Sequence, residues 1–442
     1  MALFSKLFGS DNQSLKDKPG QATFKPGRYV DINKTKEQTE YWDKAKSDFE
    51  AKRYLDSFYN LCLYMKDPET ENLEVSRSSV AVDFALTQGS KIIKGRATEN
   101  MVSAETRIAR YEKPNIAFLR KLMNLNYVLQ YNRFAIKDNI IYLKFTSKAI
   151  DASPNKLYYS LRELALKADK LDDVLVNEFD MLKPIDVSHI EMPPQKTLDV
   201  QYKYMMRWIN DDLERISKLN EDRMAGAISY ILLALLYRLD YLLVPQGSVL
   251  NDLEKINGIF TANDGKTNIE RNRLMIDEFK KLAAKTKEDI TREFYPVKTV
   301  FGYVTGTSHK TFYEFLLEQF KNTGWYYDNR HDDVVTNIYE YSMGYSLFNY
   351  GLYPATFELL KLAYQVKESD YFAEMGCATT YYTTSTAKFN GSAIEKEVNR
   401  IINKYKKDFP KLAMRMNLVK YKDMNEFLYT YLNEITYLNY SK

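Results

Sequence analysis

Histidine and aspartate are spaced in this chain in a way that could build a metal-dependent phosphohydrolase site. His309 is followed by His331, which stands directly before Asp332, and Asp370 and Asp408 lie further along. One histidine, a His-Asp pair and a distant aspartate are ligand types that bind divalent metal ions when they converge. The first candidate chemistry is therefore metal-assisted hydrolysis at His309, His331 and Asp332.

The residues around the His-Asp pair favour a different interpretation. The arrangement resembles that of HD-type phosphohydrolases, whose pair follows an apolar stretch that buries the metal. Here Asp328, Asn329 and Arg330 precede the pair, and Asp333 follows it. Acidic residues in the first turn of a helix are stabilised by the helix dipole without any metal. We keep the HD-like hydrolase as the alternative and expect no catalytic residue, no metal and no cofactor.

Other catalytic patterns are missing from the sequence. The glycines of Gly302 to Gly306 lack the lysine that a phosphate-binding loop requires. Adjacent carboxylates such as those of Asp172 and Asp173 point about 100° apart on a helix. Cys62 and Cys377 are the only thiols, and both lie in apolar segments. With only 3 His and 2 Cys in 442 residues, the composition favours interaction over catalysis.

Charge and aromatic content limit the partner class. The chain has 63 basic and 59 acidic residues and no long basic run, which argues against nucleic acid as a partner. Tyrosine is abundant, with 36 residues that recur mostly at helical spacing. Tyrosine contributes contact area and keeps a polar tip. Four tyrosines are the predicted partner-binding residues: Tyr339, Tyr345, Tyr350 and Tyr353.

The N-terminus suggests a second way of attaching to a surface. Leu3, Phe4, Leu7 and Phe8 would line one side of a short helix that docks on a membrane surface or on a partner. The most apolar window, Met224 to Tyr237, has 14 residues and is too short to cross a bilayer. We expect a cytoplasmic protein, with a peripheral membrane scaffold as a further alternative.

Hydrophobic spacing predicts an α+β domain over residues 34–182, preceded by an extended leader at 1–33. Apolar residues recur at spacings of three and four in the helical segments and of two in the strands. The predicted elements are one long helix over 34–66, three antiparallel strands between 73 and 109, a helix over 114–129, a hairpin of 131–136 and 140–146, and a helix over 154–179.

This order of elements and three local segments carry a resemblance to a known family. The segments are Met123 to Asn126 at a helix end, Tyr131 to Ile136 and Ile140 to Phe145. Together they resemble the bacterial YbjN-type family, which is similar in fold to type III secretion chaperones. The resemblance covers about residues 34–180 and implies a sheet domain that binds other polypeptides. It implies no catalytic residues, and the C-terminal part of the chain departs from the short members of the family.

The remainder of the chain is predicted to be an α-helical domain. A linker with three prolines over 183–198 separates it from the sheet domain, and the helical domain covers 199–442. Residues 378–388 are rich in threonine but are expected to form a helix. A hairpin within this part resembles a tetratricopeptide repeat, through Gly344, Leu347, Gly351, Tyr353, Thr356, Leu360 and Ala363.

These observations give one functional expectation. We expect a non-enzymatic polypeptide-binding adaptor or chaperone-like assembly factor, with other polypeptides as partners and with attachment to a bacterial secretion or injection machine as one setting. The sequence leaves the oligomeric state open.

Overall fold

The computed structural model describes residues 26–67 and 70–441, and its first elements form a helical hairpin. Helix α1 (Lys36–Glu50) and helix α2 (Tyr54–Met65) stand where one long helix was predicted, so that prediction is wrong. Lys52 turns the chain with a φ of 62°, in the left-handed region. The two helices then pack against each other, which a single straight helix could not do.

A seven-stranded sheet follows the hairpin. Its strands are β1 (Leu73–Arg77), β2 (Ala81–Gln88), β3 (Lys91–Thr98), β4 (Met101–Tyr111), β5 (Arg133–Lys137), β6 (Ile140–Lys148) and β7 (Leu182–Pro184). The order across the sheet is β1-β2-β3-β4-β6-β5, and every pair is antiparallel. Strand β7 pairs with the end of β4. The predicted hairpin of 131–136 and 140–146 is confirmed by the pairing of β5 with β6, and Asp138 and Asn139 form its turn with positive φ.

Four strands, not three, lie between 73 and 111. Val80 lies in the turn between β1 and β2 and is 65% exposed, although its alternation with Val82 and Phe84 is typical of a strand. Ser78 closes that turn, because its hydroxyl accepts the backbone N–H of Ala81. The extra strand β1 forms one edge of the sheet.

Helices cover one face of the sheet. Helix α3 (Ile116–Val128) packs on β5, and the long helix α4 (Pro154–Glu178) packs on β2, β3, β4 and β6. Leu157, Leu161 and Leu164 of α4 are fully or almost fully buried against this face. The opposite face is polar, with exposed ion pairs such as that of Lys144 with Glu105. One apolar and one polar face are typical of an antiparallel sheet in this arrangement.

The C-terminal part is mostly helical, which together with the sheet confirms the predicted fold class. Its helices are α5 (Gln195–Ser217), α6 (Glu221–Leu243), α7 (Gly247–Thr261), α8 (Asn268–Ala283), α9 (Lys287–Thr291), α10 (His309–Asp328), α11 (Asp332–Asn349), α12 (Pro354–Lys367), α13 (Ser369–Glu374), α14 (Gly391–Tyr405) and α15 (Met424–Thr436). The helix predicted over 378–388 is absent. This stretch forms the two-residue strands β8 (Tyr382–Thr383) and β9 (Lys388–Phe389) instead.

Helix α6 forms the centre of the helical part. Among the described residues it is the one helix long and apolar enough to cross a membrane by length and composition. Within its most apolar 18-residue window, however, 89% of the residues are buried inside the structure. Helix α6 is therefore placed like the core helix of a soluble protein.

The repeat-like hairpin of α11 and α12 packs in a way that explains its small residues. Helix α11 makes its most extensive contact with α6. A Cβ atom added at Gly344 would lie 2.5 Å from the Cβ atom of Tyr237 on α6. The same atom would lie 2.7 Å from the hydroxyl oxygen of Tyr364 on α12, so Gly344 allows α11 to approach both α6 and its hairpin partner α12.

A buried network of charged residues joins four helices of this core. Arg238 on α6 is 5% exposed, and its Nη2 atom donates to Glu340 Oε2 on α11 at 2.7 Å. Burial alone would raise the pKa of Glu340, but the charges of Arg238 and Lys367 lower it to about 2. Three cations and three anions make up the network: Arg215, Arg238, Lys367, Asp212, Glu340 and Glu368.

An extended segment connects the helical part to the sheet. Val300 and Phe301 are 1% exposed and belong to the apolar core of the sheet region. Gln88, the last residue of β2, bonds them with both ends of its side-chain amide. Its Oε1 atom accepts the N–H groups of Val300 and Phe301, at 3.1 and 3.0 Å. Its Nε2 atom donates to the Phe301 carbonyl at 3.2 Å.

Replacing Gln88 by Leu is expected to lower the free energy of unfolding by about 1 to 3 kcal/mol, since three buried backbone groups would lose their partners. Urea unfolding of the purified chain measures this loss. The matched control is Gln130→Leu, because Gln130 is exposed. Equal stability of the two variants would contradict the role of Gln88.

Residues 26–33, the described part of the predicted leader, also lie against both regions. Arg28 Nη2 donates to Asp240 Oδ1 on α6 at 2.6 Å. Three residues later, Asp31 accepts the hydroxyl of Tyr158 on α4 at 3.1 Å. This segment therefore bridges the sheet region and the helical region ahead of α1.

Several carboxylates crowd the place where α4 meets α7. Burial, reinforced by the charge of Asp172, raises the pKa of Asp169 to about 7. Burial and the charges of Asp172, Glu293 and Asp169 raise the pKa of Asp173 to about 8. Lys91 Nζ lies 2.8 Å from Asp172 Oδ2 and neutralises one of these groups. Two carboxyl groups at this junction therefore titrate near neutral pH.

Candidate functional site

Helix α3 is held firmly by few buried residues. Its N-cap is Asn115, whose side chain accepts the N–H of Ala117 at 2.7 Å. Only Phe118 and Leu122 of the helix are buried. The Phe118 ring lies between Tyr111 and Phe179, with ring centroids 5.2 and 6.4 Å apart. Leu119 and Leu125 are partly buried against the same core, and the rest of the helix surface faces solvent.

The outer side of α3 is apolar. Ile116, Met123, Tyr127 and Val128 are 70, 72, 91 and 66% exposed. The first three are spaced by seven and four residues and therefore share one face of the helix. We call these four residues the α3 surface. Single exposed apolar residues are common on proteins, whereas several together on one helix make that helix a candidate interaction surface.

A hydrogen-bonded clamp joins α3 to the edge of the sheet. Asn126 Oδ1 accepts the N–H of Phe134 at 2.6 Å, and Asn126 Nδ2 donates to the Phe134 carbonyl at 3.3 Å. The amide of Asn126 thereby takes the place of a neighbouring strand at the edge strand β5. This protects the edge from pairing with another chain at that point.

The loop after α3 is held by Glu163 of α4. Its carboxylate accepts the backbone N–H groups of Gln130, Tyr131 and Asn132 at 2.8 to 3.1 Å. Burial opposes ionisation of Glu163, yet these bonds lower its pKa. Since both ends of α3 are fixed, the α3 surface has a preorganised shape, which reduces the entropy lost on binding.

One cation lies on the apolar face of α3. Arg120 is exposed and stands four residues after Ile116 and three before Met123, so it shares their face of the helix. Helix α3 itself contains no acidic residue. The site therefore combines apolar side chains with a positive charge, which favours a ligand that carries an acidic group beside apolar ones.

No family model matches the chain, and no curated protein is significantly similar to it in sequence.

The four tyrosines predicted to bind a partner lie in the interior or in aromatic clusters. Tyr339 is 5% exposed and packs between Phe320 and Tyr429, with ring centroids 6.0 and 6.3 Å away. A buried ring offers no contact area in this conformation. The prediction that Tyr339 contacts a partner is therefore wrong for this conformation.

The other three tyrosines are half-buried and belong to two separate clusters. Tyr345 stacks on Phe315 at 4.8 Å and lies 5.6 Å from the ring of Tyr350. Tyr353 instead stacks on Tyr440 at 4.2 Å. The structure thus does not bring the predicted residues together on one exposed face, and their rings pack the helices.

The two histidines of the alternative hydrolase site, His309 and His331, lie far apart in the structure. His309 is the first residue of α10, where its Nε2 atom lies 3.1 Å from the Thr436 carbonyl. His331 follows the other end of α10 and stacks on Trp325. A helix of 20 residues is about 30 Å long, so His309 and the pair of His331 with Asp332 cannot share a metal. Within 26–67 and 70–441, no three His, Cys, Asp or Glu residues are grouped to bind a metal ion.

The predicted membrane or partner contact of Leu3, Phe4, Leu7 and Phe8 lies outside the described residues.

The sequence contains a signal for the α3 surface. Besides the stripe of Ile116, Leu122, Met123 and Tyr127, of which only Leu122 is buried, α3 has Phe118, Leu125 and Val128 on its other sides. A helix with apolar residues on every side has more apolar surface than one contact can bury.

Proposed function

We propose that this protein is a non-enzymatic, cytoplasmic adaptor that binds another polypeptide on the α3 surface. One observation carries the proposal: a preorganised helix presents four large apolar side chains that are 66 to 91% exposed. Burying one such side chain contributes about 1.5 to 3 kcal/mol. The α3 surface therefore offers enough apolar area to anchor a partner.

The partner fits best as an amphipathic helix with acidic residues beside its apolar stripe. The apolar stripe would cover Met123 and Tyr127. An acidic residue of the partner would face Arg120. Helix packing against a helix face of this kind is a recurring mode of peptide recognition.

The role in an assembly is a further part of the proposal. The likeness to secretion chaperones implies binding of other polypeptides, and the α3 surface belongs to the same sheet region, residues 34–182. A chaperone-like assembly factor of a secretion or injection machine would need such a surface. The helical region would then act as the platform of the adaptor.

Photo-crosslinking in cells that naturally contain the protein tests the proposal. A benzophenone amino acid is placed at Asn124, which is exposed on α3 one turn before Val128 and therefore beside that residue of the α3 surface. We expect it to form a crosslink to another polypeptide. The same probe at Lys94, exposed on the opposite face of the sheet, is expected to give none.

Replacing Met123 by Lys is expected to reduce the crosslink from Asn124 at least about tenfold, since loss of a central apolar anchor costs about 2 kcal/mol of binding. The matched control is Val80→Lys, because Val80 is 65% exposed far from α3 in sequence. The proposal fails if Asn124 and Lys94 give the same products, or if Met123→Lys leaves the crosslink unchanged. A product of twice the chain mass would show a second copy on this surface and would also contradict it.

A further inference from the structure

A cavity separate from the α3 surface lies between α5, α6 and α8. Its volume is about 410 Å³, within the range of about 300 to 1,000 Å³ that is typical of small-molecule sites. Six aliphatic side chains line it: Leu213, Ile216, Leu219, Ile228, Ile269 and Ile276. The walls are thus suited to a hydrocarbon chain.

Helix α6 is irregular near its start, between the cavity-lining residues Glu221 and Ile228. Met224 has non-helical φ and ψ angles of −118° and 21°. Asn272 of α8 donates to the Ala225 carbonyl at 2.8 Å and accepts the hydroxyl of Ser229 at 2.8 Å. Asn272 is 3% exposed and lines the cavity. These bonds hold α8 against α6 at a fixed position and keep the cavity's walls in place.

Among the charged residues that line the cavity, one cation lies outside the ion pair that the other two form. Arg273 and Glu221 both line the cavity and neutralise each other through an ion pair, with Arg273 Nε 3.0 Å from Glu221 Oε2. Lys280 also lines the cavity, and it makes no ion pair with any described residue. An apolar cavity with a single free cation at its border complements an apolar molecule with an anionic end.

We propose that this cavity binds a single-chain fatty carboxylate. The hydrocarbon chain lies among the aliphatic walls, and the carboxylate faces Lys280. Burial of the chain supplies most of the binding free energy. Lys280 gives the preference for a negative head group. This site is independent of the α3 surface, so either proposal can fail without the other.

Isothermal titration of the purified full chain with dodecanoate tests the site, at concentrations below micelle formation. We expect saturable binding of one dodecanoate per chain. Dodecyltrimethylammonium, which has the same chain and a positive head group, is expected to bind at least about fivefold more weakly, as one close charge pair allows. Absence of saturable dodecanoate binding, or equal binding of the two probes, would overturn the proposal.

Two variants separate the head-group contact from the apolar walls. Lys280→Met is expected to weaken dodecanoate binding about threefold to fivefold, within the range of a single surface charge pair. Lys281→Met is the matched control, because Lys281 lies next to it on α8, pairs with Glu278 and does not line the cavity. We expect this control to leave dodecanoate binding unchanged.

Ser217→Trp fills the mouth of the cavity and is expected to weaken dodecanoate binding at least about tenfold by taking the space of the chain. Ser217 is exposed at the end of α5, so the variant is expected to fold, which a thermal unfolding curve checks. Ile276→Phe fills the cavity from α8 and gives a second measurement. Full dodecanoate affinity in both filling variants would place the ligand elsewhere and refute the site.

Discussion

Replacing Arg238 by Met is expected to lower the free energy of unfolding by about 3 to 5 kcal/mol, the typical cost of breaking a buried ion pair from one side. Arg238 is 5% exposed and faces Asp212, Glu340 and Glu368. Met has a similar shape but no charge, so the variant leaves three carboxylates in the core with only Arg215 and Lys367 near them. Urea unfolding measures the loss.

An exposed ion pair supplies the control for this variant. Lys218 pairs with Glu214 on α5, and both side chains are more than two-thirds exposed. Lys218→Met is expected to cost less than about 0.5 kcal/mol. If Arg238→Met costs no more than Lys218→Met, the buried network does not stabilise the fold.

The pH dependence of Arg238→Met gives a second readout. In the wild type, the pKa of Glu340 is about 2, below its ordinary value of 4.5. Glu340 therefore contributes stability above pH 4.5 that is lost as the pH falls towards 2. Without Arg238, burial is expected to raise the pKa of Glu340 above 4.5. Acidification from pH 7 to 5 should then recover stability in the variant, which mere loss of packing would not produce.

The regular elements of the fold could be predicted from spacing, whereas the irregular ones could not. The stripe of Leu157, Leu161 and Leu164 predicted α4, and the turn of Asp138 and Asn139 predicted the β5-β6 hairpin. The break between α1 and α2 carries no glycine or proline signal, because Lys52 adopts the left-handed region there. Contacts between the two helices outweigh local preference at that residue.

At the threonine-rich stretch 378–388 the prediction was wrong for the opposite reason, because local preference is not outweighed by packing there. Its β-branched residues indicated poor helix formation, and the structure has strands β8 and β9 there. The helix prediction relied on tertiary packing to overcome this preference, and the packing does not do so. For this stretch, the low helix propensity of its residues predicted the structure better than the expected tertiary packing did.

The residues of the candidate site could not be predicted from the sequence. A polypeptide-binding surface was expected, but the residues chosen for it were tyrosines such as Tyr339, which is buried. Sequence spacing shows which residues share a helix face. It does not show which face another element covers. That choice depends on long-range contacts such as the clamp between Asn126 and Phe134, which no local pattern reveals.

Raising the pH from 5 to 8 is expected to destabilise the junction of α4 and α7 by about 2 kcal/mol through Asp169 alone. The ordinary pKa of this carboxyl group is 3.8, and burial, with the charge of Asp172, raises it to about 7. Between these values the folded chain holds a proton that the unfolded chain releases. The stability from this proton is fully present below about pH 4 and is lost as the pH rises through 7.

The charged and titratable groups around Asp169 either strengthen or weaken this pH dependence of stability. The neighbouring titratable or charged groups are Asp172, Asp173 and Lys170 on α4, Lys91 on β3, Glu254 on α7, and Glu293, Tyr295, Tyr303 and Arg28 from the connecting segments. Asp173, with a pKa of about 8, adds to the same trend. The cations Arg28 and Lys91 lower the pKa of Asp169 and therefore limit the effect.

Asp169→Asn isolates this contribution. Asn keeps an oxygen that can accept the Ser90 N–H, which Asp169 Oδ1 accepts at 2.9 Å, but it cannot ionise. We expect the variant to match the wild type at pH 5 and to exceed its free energy of unfolding by about 1 to 2 kcal/mol at pH 8. Urea unfolding at pH 5, 6, 7 and 8 measures the difference. Asp277→Asn, at an exposed position of α8, is expected to leave the pH dependence unchanged, and parallel curves for wild type and Asp169→Asn would contradict the raised pKa.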